Sequence, residues 1–379
     1  GGGKPDDSIG CVGLPPEPVR GDSLAAAPKR SLVRRIVDYF GQANRDRTFE
    51  KKIDFTFIGG PSYTKENQFS LSVMASGLYR IDRTDSLTQP SNITAFVTGS
   101  TTGFYKVGID GNTLLRQNRH RIIYALSFYS QPTKYWGIGY RAGSENERSS
   151  FLDTRYEVSV AYLRQAAGNL FAGIELDFRH IRGRKFGRPE YIEGESPVTT
   201  ATGIGALLEY DSRDVITDPS RGLYLGMKAS WRPKLLSSLD RSLWQVETTI
   251  CGYQPLWKGS VLACELYGDF NSPHTPWSLK AKLGGSQRMR GYYLGRYNDN
   301  DMLTFQVELR QRIWRRIGCV VWGGAGNVFP AIDRFRWDHT LPNYGAGVRW
   351  EFKKRVNIRV DYGFGRKTSG ILFSMNEAF

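Results

Sequence analysis

The sequence predicts an all-β transmembrane fold, a closed antiparallel β-barrel of sixteen strands with a short N-terminal periplasmic helix. Apolar and polar residues alternate along the chain, as at 303–310 and 356–365, and successive side chains of a strand point to opposite faces. No run of about 18 apolar residues offers a membrane-spanning helix. Aromatic residues make up 13% of the chain, which suits girdles at the membrane interfaces. We therefore expect lipid outside the sheet and water inside it, the reverse of a soluble β-sandwich.

The chain before the first strand divides into two segments. Residues 1–28 are rich in Gly, Pro, Asp and Ser and predict a disordered or extended periplasmic tail. Residues 29–48 predict a short amphipathic helix and linker, with Ser31 as its N-cap and Gly41 as its stop. The helix could lie on the membrane surface, plug the lumen, cover the periplasmic mouth or simply pack against a turn. No signal peptide opens the sequence, so we expect export to have removed one.

The barrel is predicted over residues 51–379. Its strands fall at 52–60, 67–78, 92–100, 103–112, 119–130, 153–164, 168–181, 200–212, 222–233, 243–254, 260–270, 301–314, 318–328, 341–352, 355–365 and 370–379. An even number of strands is typical of single-chain bacterial barrels, and strands of roughly 9–11 residues suffice to cross a bilayer when tilted.

The connections predict the orientation of the barrel. Long links follow every second strand from the fifth, at 131–152, 182–199, 234–242, 271–300 and 329–340. Outer-membrane barrels have long extracellular loops and short periplasmic turns. We therefore expect both termini in the periplasm, and the protein in the outer membrane of a Gram-negative bacterium.

The net charge of +15 has to be explained by a partner or by solvation. No nucleic-acid motif accompanies it, and the basic residues are scattered. Outer-membrane lipid and lipopolysaccharide are the expected partners, contacted by basic turns at 353–355 and 315–316. Simple solvation of these turns is the alternative.

Catalytic and metal chemistry find little support in the sequence. Cys251 and Cys264 lie on opposite faces of adjacent predicted strands, so we expect no disulfide between them. The four histidines are dispersed, which predicts no metal site and no cofactor. Neither a nucleophile elbow nor a convergent Ser/His/Asp set is recognisable, so an enzyme is not expected.

Several motifs in the second half of the chain carry a family resemblance. Residues 284–292 read Gly-Gly-Ser-Gln-Arg-Met-Arg-Gly-Tyr, Glu308 lies in the predicted strand 301–314, and residues 326–329 read Gly-Asn-Val-Phe. In this order the motifs resemble the BamA/TamA-type surface-antigen superfamily of outer-membrane insertases and two-partner secretion transporters. The resemblance covers residues 51–379. It implies that loop 271–300 folds into the lumen.

The resemblance also implies roles for individual residues. Arg290 is expected to pin the loop to the barrel wall through Glu308, with Gly291 allowing a tight turn. This loop-pin motif comprises Met289, Arg290, Gly291, Tyr292 and Glu308. The family's second acidic position falls at Gly324, so the pin rests on Glu308 alone or on another lumen acid. The candidates for that acid are Glu247, Glu265 and Asp361.

A turn motif in the same family matches Asp211, Arg213, Asp214, Pro219 and Gly222, for which a structural role in closing the turn is favoured. Family members also present periplasmic POTRA modules. About 50 residues precede the first strand, too few for one module. This predicts a barrel-only member, or modules supplied by another chain.

The junction of the first and last strands is the expected weak point of the closed barrel. The first of these strands ends in two glycines and the last begins with one. The residues assigned to this lateral seam are Ile53, Phe55, Phe57, Gly59, Gly60, Gly370, Phe373 and Phe379. Glu377 departs from the apolar pattern usual at the end of the last strand.

The resemblance and the seam lead to a functional hypothesis. We expect a BamA-like barrel that assists insertion or translocation of client proteins through the seam, together with periplasmic accessory subunits. A secretion or solute channel gated by the inward-folded loop 271–300 is one alternative. A membrane anchor subunit of a larger assembly is another.

Overall fold

The computed structural model describes residues 52–82, 84–353, 356–375 and 377–379. Within these residues, sixteen strands form a closed antiparallel barrel in which each wall strand pairs with the wall strands before and after it, and the last pairs with the first. The predicted barrel is therefore confirmed. The predicted tail at 1–28 and helix at 29–48 lie outside the described residues. The described residues contain no helix long and apolar enough to cross a bilayer.

The strands follow the predicted order. They are β1 (Ile53–Thr64), β2 (Gln68–Tyr79), β3 (Ser91–Ser100), β4 (Tyr105–Leu115), β5 (His120–Tyr135), β6 (Ser149–Ala167), β7 (Leu170–Arg184), β8 (Val198–Asp211), β9 (Gly222–Arg232), β10 (Leu243–Pro255), β11 (Ser260–Asn271), β12 (Ala281–Leu283), β13 (Tyr297–Asp299), β14 (Asp301–Trp314), β15 (Ile317–Phe329), β16 (Leu341–Lys353), β17 (Val356–Gly365) and β18 (Thr368–Met375). Of these, β12 and β13 form a separate two-stranded sheet.

The barrel wall is apolar outside and polar inside. In β14 the inward side chains of Thr304, Gln306 and Glu308 are buried, whereas outward Phe305 is 48% exposed. Phe57 on β1 is likewise 64% exposed. A sheet that exposes its apolar face and buries its charges is stable only if lipid covers that face.

The two ends of the barrel differ. One end, here the turn end, carries the short turns such as 116–119, 256–259 and 315–316, and β1 begins there. The opposite end, here the loop end, carries the long connections 136–148, 185–197, 272–300 and 330–340. A helix, α1 (Gly139–Glu145), lies in the first of these connections.

The longest loop, 272–300, supplies the interior packing of the barrel. Its hairpin β12–β13 and its tip enclose a cluster of buried residues with the wall: Ala281, Leu283, Met289, Tyr292, Tyr297, Met302, Val328 and Leu341. Trp277 of the same loop is 1% exposed. The loop therefore occupies the bore rather than projecting away from it.

The first and last strands differ from the prediction in where they end. The first strand was predicted to end at 60, but β1 continues to Thr64. Pro61 does not stop it, since proline is tolerated in an edge strand that has little pairing on one side. The last strand was predicted to reach Phe379, but β18 ends at Met375.

Candidate functional site

The centre of the bore is occupied by the loop arginine that the motif singled out. Arg290 donates from Nη2 to Glu308 Oε2 at 2.6 Å and from Nη1 to Asp361 Oδ2 at 2.8 Å. All three side chains are 0% exposed. The guanidinium thus joins two carboxylates on different strands, and charge-assisted hydrogen bonds of this kind are the strong ones.

In the described part of the chain, Arg290 contacts neither of the other two acids considered as partners. Glu265 accepts two hydrogen bonds from Arg288, at 2.6 Å and 3.3 Å. Glu247 lies opposite Lys228 in the β9–β10 register. Of the three acids left open, Glu265 therefore binds Arg288, and Asp361 joins Glu308 at Arg290.

Trp322 and Asn343, which were not predicted from the sequence, also contact Arg290. Its Cζ lies 3.6 Å from the ring centroid of Trp322. The Trp322 Nε1–H donates to Asn343 Oδ1 at 3.1 Å, and Asn343 Nδ2 donates to the Arg290 carbonyl at 2.6 Å. The only feature of the sequence that could have indicated this contact is Trp322, an inward-facing residue two positions before Gly324.

Arg290 belongs to a closed ring of alternating charges. The members of this charge ring are Arg290, Glu308, Arg310, Glu377, Arg349 and Asp361. The remaining links are Arg310–Glu308 at 2.7 Å, Arg349–Asp361 at 2.5 Å, Arg349–Glu377 at 2.8 Å and Arg310–Glu377 at 3.8 Å. Buried charges are costly unless paired, and here every carboxylate meets at least two guanidinium groups.

The carboxyl-terminal residues contribute to this ring instead of to the wall. Glu377 accepts a hydrogen bond from Asn357 Nδ2 at 2.7 Å in addition to its arginines. Arg310 Nη2 donates to the Phe379 carbonyl at 2.9 Å, and the Phe379 ring lies 6.3 Å from that of Tyr253. The assignment of Phe379 to the seam is therefore corrected. Glu377, two positions before Phe379, binds Arg349 and Asn357 and so places this segment in the polar bore.

The rest of the loop-pin motif fixes the backbone of the tip. Gly291 has φ +99°, and a Cβ there would lie 2.5 Å from the Gly363 carbonyl oxygen. The Tyr292 hydroxyl donates to Pro342 O at 2.8 Å and accepts from Arg366 N at 2.6 Å. Met289 is buried in the loop cluster. Only glycine fits the left-handed, crowded position between these side chains.

The turn motif closes the connection between β8 and β9. Arg213 binds Asp211 with two hydrogen bonds, at 2.9 Å and 2.7 Å. Asp214 accepts from Ser220 N at 2.8 Å. Gly222 has φ +111°, and a Cβ there would meet the Ser212 carbonyl oxygen at 2.4 Å. The Pro219 carbonyl accepts from Arg310 at 3.5 Å, which connects this turn to the charge ring.

The seam is the least paired junction in the described barrel. On one side β1 pairs with β2 from Ile53 to Thr64, whereas on the other side its register with β18 is the single pair Tyr63–Phe373. Other assigned residues have partners away from the seam. These pairs are Phe55–Gly77, Phe57–Ala75, Gly59–Val73, Gly60–Ser72 and Gly363–Gly370.

Comparisons with known proteins give one family and several structures. Residues 67–379 match the family model described as "Omp85 superfamily domain". The search of curated proteins gives no match.

Among solved structures, BamA from Haemophilus ducreyi lacking POTRA domains 1–3 is similar with a TM-score of 0.60 at 13% identity, over 86% of this chain and 70% of that one. CdiB from Escherichia coli gives 0.61 at 11% identity, over 86% and 62%. CdiB from Acinetobacter baumannii gives 0.56 at 11% identity, over 86% and 60%. The chain thus spans about three fifths of each CdiB, and at these identities the likeness concerns the fold.

Proposed function

Since this chain belongs to the Omp85 superfamily of outer-membrane barrels, we propose that it assists the insertion or translocation of client proteins through a lateral opening between β1 and β18. The observation that carries the proposal is the single register pair that closes this junction. Every other pair of neighbouring wall strands in the described residues shares a longer ladder.

Opening this junction creates a template for another strand. An unpaired edge presents a row of N–H and C=O groups, and an extended peptide can add to it by main-chain hydrogen bonds. Along β1 the outward Ile53, Phe55 and Phe57 are all exposed apolar residues. A client strand with the same alternation would continue both the lipid-facing surface and the polar bore. The favoured client is therefore a β-strand segment of another membrane protein.

The test is a disulfide across the seam. Tyr63→Cys and Phe373→Cys place thiols at the one paired position, in a chain whose native cysteines are replaced by serine. Ile250→Cys with Leu266→Cys provides the control, because these paired residues join β10 to β11. We expect the oxidised seam variant to stop client assembly in proteoliposomes, reductant to restore it, and the control to remain active. Undiminished assembly with an oxidised seam would contradict lateral opening.

A channel gated by the loop is the second candidate, favoured by the seat of Arg290 in the bore. A polar cavity of about 430 Å³ remains inside the wall, with Lys106, Glu157 and Lys228 among its lining residues. Planar-bilayer conductance distinguishes the two functions. A conductance that is low in the parent and high in Arg290→Ala would favour gating, whereas equal conductance in both would contradict it.

A further inference from the structure

We propose that Arg116, Arg119 and Arg164 form a binding site for the phosphate of an anionic phospholipid at the turn end of the barrel. The three exposed arginines line one cavity of about 730 Å³ between the β4–β5 and β6–β7 turns. His120 and Asp85 line the same cavity. Guanidinium groups suit phosphate because their planar fork donates two parallel hydrogen bonds to its oxygens.

The charge of this arginine cluster is not neutralised within the described part of the chain, where none of the three guanidinium groups forms a side-chain hydrogen bond or ion pair. Other turn-end arginines do, as Arg213 pairs with Asp211 at 2.7 Å. The nearby Asp85 carboxylate is engaged by its own loop, accepting from Leu87 N at 3.0 Å and Thr88 N at 3.1 Å. The cluster therefore keeps a net positive charge available for an anion.

The position of the cluster on the wall favours a lipid over a free ion. Arg164 and His120 are opposite each other in the β5–β6 register. His120 Nδ1 lies 2.7 Å from the hydroxyl of Tyr162, whose ring is 40% exposed. Val160 continues the same outward row and is 46% exposed. Tyrosine marks the membrane interface, so a lipid can lay its acyl chains along this row with its phosphate at the arginines.

Native mass spectrometry of the detergent-purified chain tests this site. The probes are dioleoylphosphatidylglycerol, dioleoylphosphatidylcholine with the same acyl chains, and inorganic phosphate. Arg116→Gln/Arg119→Gln/Arg164→Gln removes the cluster. The control, Lys52→Gln/Arg221→Gln/Lys258→Gln, removes the same charge from exposed positions elsewhere at that end. Circular dichroism verifies that both variants retain the barrel.

We expect the phosphatidylglycerol adduct to be the tightest in the parent. Each arginine near an anionic lipid contributes roughly fivefold in affinity, so the cluster variant should bind it about a hundredfold more weakly. The control should lose far less. Equal losses in both variants, or equal binding of the two lipids, would overturn the site. Inorganic phosphate bound as tightly as the lipid would overturn the assignment of the ligand.

A second inference rests on the proposed function and on different contacts. We infer that Lys65 is a positioning residue that holds the seam closed at the loop end. It follows β1 directly, and its ammonium donates to Gly291 O at 3.1 Å, Ser369 O at 3.0 Å and Thr368 Oγ1 at 2.5 Å. The Thr368 hydroxyl donates in turn to Gly291 O at 2.9 Å.

These contacts join both edges of the seam through the loop tip. Lys65 belongs to the first hairpin, Thr368 and Ser369 begin β18, and Gly291 is the tip residue between them. Its carbonyl oxygen accepts from both edges beside the pair Tyr63–Phe373. Withdrawal of the loop tip removes this shared acceptor, and separation of the strands removes a donor. Loop seating and seam closure therefore stabilise each other.

Maleimide labelling of single cysteines measures this coupling in the otherwise cysteine-free chain. Phe373→Cys reports on the seam and Ser286→Cys reports on the loop tip. Lys65→Met removes all three hydrogen bonds while keeping an unbranched side chain, and Lys52→Met, at the exposed residue directly before the same strand, is the control. Hydrogen bonds from a charged group are strong, so we expect Lys65→Met to raise both labelling rates by about tenfold.

The outcomes separate this inference from the proposed function. Unchanged labelling in Lys65→Met, with client assembly still stopped by the seam disulfide, would overturn the role of Lys65 alone. Raised labelling, with client assembly unaffected by the disulfide, would leave Lys65 as a closing element and overturn lateral transport. A rise in Lys52→Met equal to that in Lys65→Met would show a general effect of charge and would also overturn the inference.

Discussion

Arg290 holds the loop because its single planar guanidinium binds carboxylates on two different strands. Its two terminal nitrogens bind Glu308 on β14 and Asp361 on β17, while its face packs on Trp322 of β15. Lysine could supply the charge but not this planar geometry. The arrangement compensates for the missing acid at Gly324, where a Cβ would lie 2.4 Å from the Phe305 carbonyl oxygen. A side chain at that position would therefore crowd the neighbouring strand.

We predict that Arg290→Gln strongly destabilises the seated loop. Removing one member of a buried, paired set leaves its partners uncompensated and typically costs about 3–5 kcal/mol. Thermal unfolding in detergent, together with protease cleavage of loop 272–300, measures the effect. The exposed Arg334→Gln is the control. Equal stability of the two variants would show that Arg290 does not carry the loop.

The sequence could predict only part of this site. Arg290 and Glu308 were identified because their motifs resemble a family pattern, and Asp361 was one of three acids left open. Trp322, Asn343 and the pairing of Glu377 were missed. Their contacts cross the bore, and such contacts depend on the diameter and register of the closed wall. Spacing along the chain does not contain that information.

At the scale of elements, alternation predicted all sixteen wall strands because each has one lipid-facing and one polar face. The same rule failed inside loop 272–300. The hairpin strands β12 and β13 have three residues each, too short to show a period of two. The helix α1 was not predicted either, because it is held by packing against the loop. A Cβ at its Gly143 would lie 2.6 Å from the Arg296 carbonyl oxygen. This contact belongs to the folded loop.

Glu66 gives the loop a predicted dependence on pH. It lies in the β1–β2 turn and accepts from Leu294 N at 2.7 Å, and burial raises its pKa above the usual 4.5. A carboxyl whose pKa is higher in the seated loop stabilises that state when protonated. The stabilisation is complete below the ordinary pKa and is lost as pH rises through the raised one.

Maleimide labelling of Ser286→Cys, corrected for the intrinsic pH dependence of the thiol with a free peptide, measures this effect. We expect the corrected rate to rise from pH 5 to pH 8. In Glu66→Gln the corrected rate should be flat. A pH profile that persists unchanged in Glu66→Gln would assign the dependence to another group.

At the scale of the whole molecule, the charge ring joins three distant parts of the chain. Arg290 comes from the loop tip, Glu308 and Arg310 from β14, and Glu377 from the segment after β18. Arg349 closes the ring by binding both Glu377 and Asp361. The loop that fills the bore and the segment that follows the seam strand thus share one set of buried charges.

This sharing predicts energetic coupling between two residues that do not touch. Glu377→Gln leaves Arg349 and Arg310 short of a negative partner, so these arginines should compete with Arg290 for Asp361 and Glu308. Groups in one buried network commonly couple by about 0.5–3 kcal/mol. A double-mutant cycle of Arg290→Gln and Glu377→Gln, read as the free energy of unfolding in detergent, should therefore be non-additive. Arg290→Gln paired with Glu190→Gln, whose carboxylate is exposed, should be additive. Additivity in both cycles would mean that the loop and the carboxyl-terminal segment are held independently, despite the continuous chain of ion pairs between them.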